Sequence, residues 1–66
     1  MKWHPVYKTE NPQRAEIVKS ILLEKGLSPV IINKKDSAYL FGTLEVQVNG
    51  DEVIAAKRIV ENIQFE

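Results

Sequence analysis

Hydrophobic and polar positions alternate most regularly over Thr43–Val48. Alternation of this kind predicts a β-strand with one buried side and one solvent-facing side. Two further segments, Trp3–Lys8 and Leu27–Asn33, are rich in β-branched and aromatic residues. Both are therefore predicted to be strands as well.

A helical pattern separates the first two predicted strands. Asn11 is a suitable N-cap, Pro12 fits the first helical position, and Gly26 suits the position just beyond the last turn. Apolar residues at helical spacing predict a buried stripe on this helix. The stripe consists of Ala15, Ile17, Val18, Ile21 and Leu22.

A second helix is predicted after the third strand. The sequence Asn49-Gly50-Asp51 is typical of a turn that leads into a helix, and the apolar period continues to about Ile63. Residues 64–66 form either a frayed end or a short fourth strand. The predicted buried stripe of this helix consists of Val53, Ala55, Ala56, Ile59, Val60 and Ile63, with Ile54 on the polar side.

The resulting order, β-α-β-β-α, predicts an α+β fold built as a two-layer sandwich with a single domain over residues 1–66. A ferredoxin-like arrangement places the third strand between the other two, giving an antiparallel sheet of order 1-3-2. Pro5 and Pro29 fall in the two strands that this order puts at the edges, which is where proline is tolerated. If the fourth strand is missing, the outer edge of the first strand is open to another chain.

Composition narrows the functional classes. The chain has 66 residues, nine basic and nine acidic side chains, no cysteine and one histidine. Disulfides and cysteine- or histidine-based metal sites are excluded, so we expect no metal and no cofactor. A balanced charge argues against general nucleic-acid binding. The absence of a long apolar run or a signal-peptide pattern predicts a cytoplasmic protein without a membrane span.

The loop between the second and third strands is the first candidate site for a ligand or a partner. It combines positive charge, a hydroxyl group and aromatic surface, and loops often hold functional residues. The alternative is a plain connection, with its apolar residues tucked under the end of the sheet and its lysines solvated. The candidate residues are Asn33, Lys34, Lys35, Ser37, Tyr39, Phe41 and Gly42.

Self-association is the second candidate activity, because a domain this small has a marginal core. Alternation along the first strand places Trp3 and Tyr7 on one side, where they could pack in the core, in a dimer or against RNA bases. Ile54 and Phe65 are candidates for a contact patch. His4 has no companion ligand or base in the pattern, so a structural or surface role is favoured.

Several local patterns together resemble a known bacterial family. They are Val6-Tyr7-Lys8-Thr9, Asn11-Pro12, Leu23-Glu24-Lys25-Gly26-Leu27, Phe41-Gly42 and Glu45-Val46-Gln47-Val48. This combination is similar to the "putative prokaryotic signal transducing protein" family, a domain of unknown function. The resemblance implies a PII-like, ferredoxin-like fold and a bacterial, cytoplasmic setting. PII regulators bind nucleotides with long loops, whereas this chain has a short loop and no glycine-rich phosphate motif, so no nucleotide-binding residues are assigned.

Two functional hypotheses follow. The first is a non-enzymatic regulatory or adaptor domain that binds a protein partner or a small ligand, with a homodimer as the expected assembly. The second is an RNA-binding or enzyme-accessory module that uses the open face of the sheet. Catalysis has no support in the sequence, because no base is positioned near a serine and the chain is too short for a large pocket.

Overall fold

The computed structural model describes residues 2–34 and 42–65, in the order β-α-β-β-α. The predicted α+β class is confirmed. A 3-10 turn, Gly50–Glu52, precedes the second helix. The strands are β1 (Trp3–Thr9), β2 (Val30–Lys34) and β3 (Thr43–Asn49), and the helices are α1 (Pro12–Glu24) and α2 (Val53–Glu61).

The three strands form one antiparallel sheet in the order β1-β3-β2, as predicted. β3 contains no proline and pairs with a strand on each side. Pro5, which has no N–H to donate, lies in the outer strand β1. Both helices pack on the same side of the sheet, and the shortest dimension of the molecule is 15 Å. One face of the sheet therefore supports the helices and the other, which we call the open face, has no second layer among the described residues.

The ends of α1 follow the predicted signals. The Asn11 Oδ1 accepts hydrogen bonds from two backbone N–H groups of the first turn, at 2.9 and 3.4 Å. At the other end Gly26 has a φ of +86°, a conformation that glycine adopts readily. The Leu27 N–H then donates to the Leu22 carbonyl at 3.0 Å, which closes the helix in a Schellman motif.

The core lies between the helices and the sheet. The predicted stripes are correct for most positions, but Ile17 and Ala55 are exposed. In α1 the buried face is centred on Ala15, Val18 and Leu22, which puts Ile17 about 130° away from its centre at 100° per residue. The fully buried residues are Ala15, Val18, Leu22, Val46, Val48 and Ala56.

The connection from α1 to β2 is longer than the pattern predicts. The strand begins at Val30 rather than Leu27, because Leu27 closes the helix and packs against the core. The Ser28 N–H donates to the Glu52 Oε1 at 3.0 Å, which ties this connection to the 3-10 turn. Pro29 is buried just before the strand, so it does not remove a hydrogen bond from the ladder.

β1 contains an irregularity that changes the face on which Tyr7 lies. Pro5 pairs with Gln47, but Tyr7 pairs with Val46, so one extra residue is inserted in β1. The prediction that Trp3 and Tyr7 share a face is therefore wrong. Alternation fails because a β-bulge shifts the following residues to the opposite side.

The C-terminal segment forms no fourth strand within the described residues. α2 ends at Glu61 rather than Ile63, and residues 62–65 are irregular. The Phe65 ring stacks on the Tyr7 ring with 5.8 Å between centroids, and the Arg14 guanidinium lies 4.9 Å from the Phe65 centroid. The segment is thus held to β1 by side chains instead of a backbone ladder.

Candidate interaction surface

The open face is a polar central strip between two partly apolar edges. Residues that are paired across a sheet point to the same side, so the register assigns each side chain to a face. Val46 and Val48 lie in the core, and the residues that alternate with them point away from it. The open face consists of Trp3, Pro5, Lys8, Val30, Ile32, Lys34, Thr43, Glu45, Gln47 and Asn49.

Glu45 and Gln47 form the centre of this strip. The Gln47 Nε2 donates to the Glu45 Oε1 at 2.9 Å, and the Lys8 Nζ lies 3.8 Å from the Glu45 Oε2. The Glu45 side chain is only 12% exposed, although none of the described elements forms a second layer above it. Both carboxylate oxygens therefore have a partner, which limits the cost of covering this charge with another molecule.

Cross-strand neighbours explain how polar groups become buried on an open face. Gln47 is paired with Pro5 on one side and Val30 on the other, and its side chain is buried. Glu45 stands between Lys8 and Ile32 in the same way. Side chains directly opposite each other are in contact range, so the two edge strands shield the central one.

Two large apolar side chains on the rim of this face remain accessible. Trp3 is 45% exposed and Ile32 is 37% exposed. Trp3 comes from β1 and Ile32 from β2, so they lie on opposite edges of the strip. Tryptophan is enriched in protein-binding surfaces and often contributes strongly to affinity, so Trp3 is a candidate anchor for a partner.

A family comparison covers nearly all of these elements. A family profile matches residues 3–64, from the start of β1 to beyond the end of α2. The chain belongs to the family described as "putative prokaryotic signal transducing protein". A search of curated proteins and a search of solved structures each find no match. The family name suggests a small signalling domain and specifies no ligand or partner.

All ten residues of the open face fall inside the match to the signal-transducing family. The loop predicted as a site falls inside it as well, but Lys35, Ser37, Tyr39 and Phe41 lie outside the described residues. Of its described members, Asn33 is paired with Leu44 and points to the helix side, whereas Lys34 points to the open side. Gly42 precedes β3 and is partly buried.

The four residues predicted for self-association do not form one patch. Tyr7 and Phe65 contact each other on the helix side, while Trp3 belongs to the open face. Ile54 is 75% exposed in the first turn of α2, at the opposite end of that helix from Phe65. The four residues therefore lie at three separate places: the Tyr7–Phe65 pair, Trp3 and Ile54.

His4 lies beside the 3-10 turn, on the opposite side of the sheet from Trp3. A Cβ atom at Gly50 would be 3.4 Å from the His4 Nε2. In residues 2–34 and 42–65, no three metal-binding side chains come together. Within the same ranges no helix combines the length and apolarity needed to cross a bilayer.

Sequence reasoning missed the contribution of β2 to the open face. The composition of Leu27–Asn33 predicts a strand but does not by itself say which face each residue takes. Its pairing with β3 sends Ile31 to the core side and leaves Val30 and Ile32 on the open side. The available signal was the period of two, because consecutive residues of a strand must point to opposite faces.

Proposed function

We propose that this chain is a non-enzymatic regulatory or adaptor domain of the bacterial cytoplasm that acts by binding protein through its open face. The observation that carries the proposal is the exposure of Trp3 and Ile32 on either side of the hydrogen-bonded Glu45 and Gln47. As part of the same proposal, the domain self-associates as a homodimer.

The residues of the open face support protein binding more than catalysis. Its charged groups form a satisfied strip, in which Lys8 pairs with Glu45 and Gln47 donates to Glu45. A catalytic site needs a reactive group with a base in reach and space for a substrate beside it. The side chains of this face instead offer a shallow surface with an aromatic anchor.

The RNA-binding alternative rests on one observation: Trp3, Lys8 and Lys34 share the open face. An aromatic ring can stack on a base, and lysines can approach phosphates. The bulge turns Tyr7 to the other side, however, so that among the described residues only Trp3 brings an aromatic ring to the open face. Gel-shift titration with mixed RNA distinguishes the two functions, because RNA binding should weaken as salt is raised.

Trp3 provides both the test and the probe for protein binding, since it is the single tryptophan of the chain. The tagged protein should retain a bacterial partner that the Trp3→Ala variant loses. Addition of the purified partner should shift the emission of Trp3 to shorter wavelength, because the ring leaves water. Ile54→Ala is the control, since Ile54 is exposed but lies on α2.

Retention of the partner by Trp3→Ala, or a constant Trp3 emission on addition of the purified partner, would contradict the proposed surface. Circular dichroism of both variants shows that the fold is intact. A partner retained by Trp3→Ala but lost by Ile54→Ala would point to a surface on the helix side.

A further inference from the structure

The two outer strands of the sheet differ in how well their free edges can pair with another strand. β2 makes five consecutive residue pairs with β3 and shows no irregularity. β1 shows a shift of register between Pro5 and Tyr7. A strand can accept a new neighbour over its length only when its backbone groups keep a regular spacing.

β1 carries two features that proteins use to prevent pairing at an edge. Pro5 has no N–H to donate, and the bulge after it twists the strand and interrupts the ladder. The Phe65 ring also packs on Tyr7 beside this strand. The edge of β1, which the sequence favours as the open one, is therefore the protected edge.

β2 lacks these features. Its residues are Val30, Ile31, Ile32, Asn33 and Lys34, with proline only before the strand and a single charge at its end. The backbone groups on its outer side face no described strand, because the order of the sheet puts β2 at the margin. A regular and largely apolar edge of this kind is a template for another strand.

We propose that β2 pairs antiparallel with β2 of a second copy of this chain, which gives a continuous sheet of order 1-3-2-2-3-1. This inference rests on the homodimer of the proposed function and names its interface. Pairing about a two-fold axis at Ile32 aligns all five residues of each strand, and any other register aligns fewer. The two Ile32 side chains then meet at the axis on the open side.

Charge is compatible with this register. In it Lys34 of one copy stands opposite Val30 of the other. The two Lys34 residues are four positions apart along the strands, or about 14 Å at 3.4 Å per residue. Because that distance exceeds the roughly 8 Å Debye length at physiological ionic strength, the repulsion between them is screened.

The helix layer adds an apolar side chain at the same margin. Arg14 lies over Phe65, which packs on β1, so this side of α1 faces β1. Leu23 is nine residues from Arg14, which is half a turn away at 100° per residue. Leu23 therefore projects on the β2 side, where it is 52% exposed.

The interface should be weak and reversible. A pair of five-residue strands with two apolar side chains per copy covers less than the roughly 800 Å² per partner of a standard interface. We expect a dimer dissociation constant of about 10 to 500 μM, as for a transient complex.

A charge exchange at Ile32 tests the proposed axis. Ile32→Lys and Ile32→Glu each place like charges together in a homodimer, so each should raise the dimer dissociation constant at least tenfold. An equimolar mixture should restore dimers, because opposite charges then meet. Sedimentation velocity from 10 μM to 1 mM measures the assembly, circular dichroism checks the fold, and Ile54→Lys is the matched control.

Hydrogen exchange of the unmodified protein gives a second readout that does not depend on any variant folding. Amides of residues 30–34 should become more protected as concentration rises, whereas those of β1 should not. Protection confined to β1, or dimers that persist in both Ile32 variants, would overturn the β2 interface while leaving a dimer in place. Loss of dimers in Ile54→Lys alone would move the interface to α2.

Two further results would contradict the proposed register or the dimer itself. If the mixture of Ile32 variants stays monomeric while the unmodified protein dimerises, the two-fold axis does not pass Ile32 and the proposed register is wrong. A monomer at every concentration would contradict the homodimer itself, and the binding of a different protein through Trp3 would still be tested separately.

Discussion

At the scale of single residues, a neighbouring pair in α1 shows how position alone changes the role of one amino-acid type. Leu22 is fully buried among Val18, Val46 and the other core residues, whereas Leu23 is 52% exposed. The two side chains are chemically identical and differ by 100° around the helix. Burial of apolar surface is the main driving force for folding, so only the first should contribute strongly to stability.

Leu22→Ala should destabilise the protein by about 2–5 kcal/mol, because it removes buried methyl groups and leaves a cavity. Leu23→Ala should cost less than about 1 kcal/mol, since solvent already reaches that side chain. Urea denaturation followed by circular dichroism measures both. Equal losses in the two variants would contradict the assignment of the buried face.

The residues of the open face show the same dependence on position. Glu45 and Gln47 are polar in sequence, yet both are largely shielded because β1 and β2 flank them. Trp3 and Ile32 are apolar, yet both remain accessible because they stand at the rim. On the open face the central polar side chains are thus shielded and the apolar side chains at the rim are exposed, which is the reverse of what residue type alone would suggest.

At the scale of secondary structure, local signals set where α1 begins and ends. Asn11 caps its first turn, and Gly26 permits the positive φ that reverses the chain. The register of β1, in contrast, depends on its pairing with β3, where one inserted residue turns Tyr7 toward the helices. That rotation allows the stack of Tyr7, Phe65 and Arg14 that holds the C-terminal segment.

Gly26→Ala should lower stability by about 1–2 kcal/mol, because an L-residue is strained at a φ of +86°. Open space surrounds the position of the new Cβ, so the loss reflects backbone strain and not a steric clash. Gly50→Ala is the control: its Cβ would meet His4 at ordinary contact distance without a positive φ. Thermal unfolding of both variants gives the comparison, and an unchanged midpoint for Gly26→Ala would contradict the strained geometry.

At the scale of the whole molecule, the two-layer arrangement of the described residues leaves one face and two edges of the sheet without a further layer or strand. The helices cover one face only, so a large part of β3 depends on its strand neighbours for shielding. A small domain buries only a small apolar core, and association with another chain is one way to add buried surface. Because the edge of β1 is protected and the edge of β2 is regular, the proposed dimer forms through β2.

The melting temperature should therefore depend on protein concentration. Between 10 μM and 1 mM we expect an increase of about 5 °C for the unmodified chain, because mass action favours a dimer that only the folded state can form. The Ile32→Lys variant should show a much smaller increase. Scanning calorimetry at several concentrations measures the difference, and a constant melting temperature for the unmodified chain would argue against the dimer.

The sequence by itself determined the number, type and order of the elements, the ends of α1 and the 1-3-2 sheet. These features follow from short-range signals: the periods of two and 3.6, the Asn11 cap, Gly26, and Pro5, which suits an edge strand. Only the tertiary structure decided which residues the open face contains, where the bulge falls and which edge is regular. Those properties depend on the register between strands that are distant in sequence, and a shift of one residue moves every following side chain to the other face.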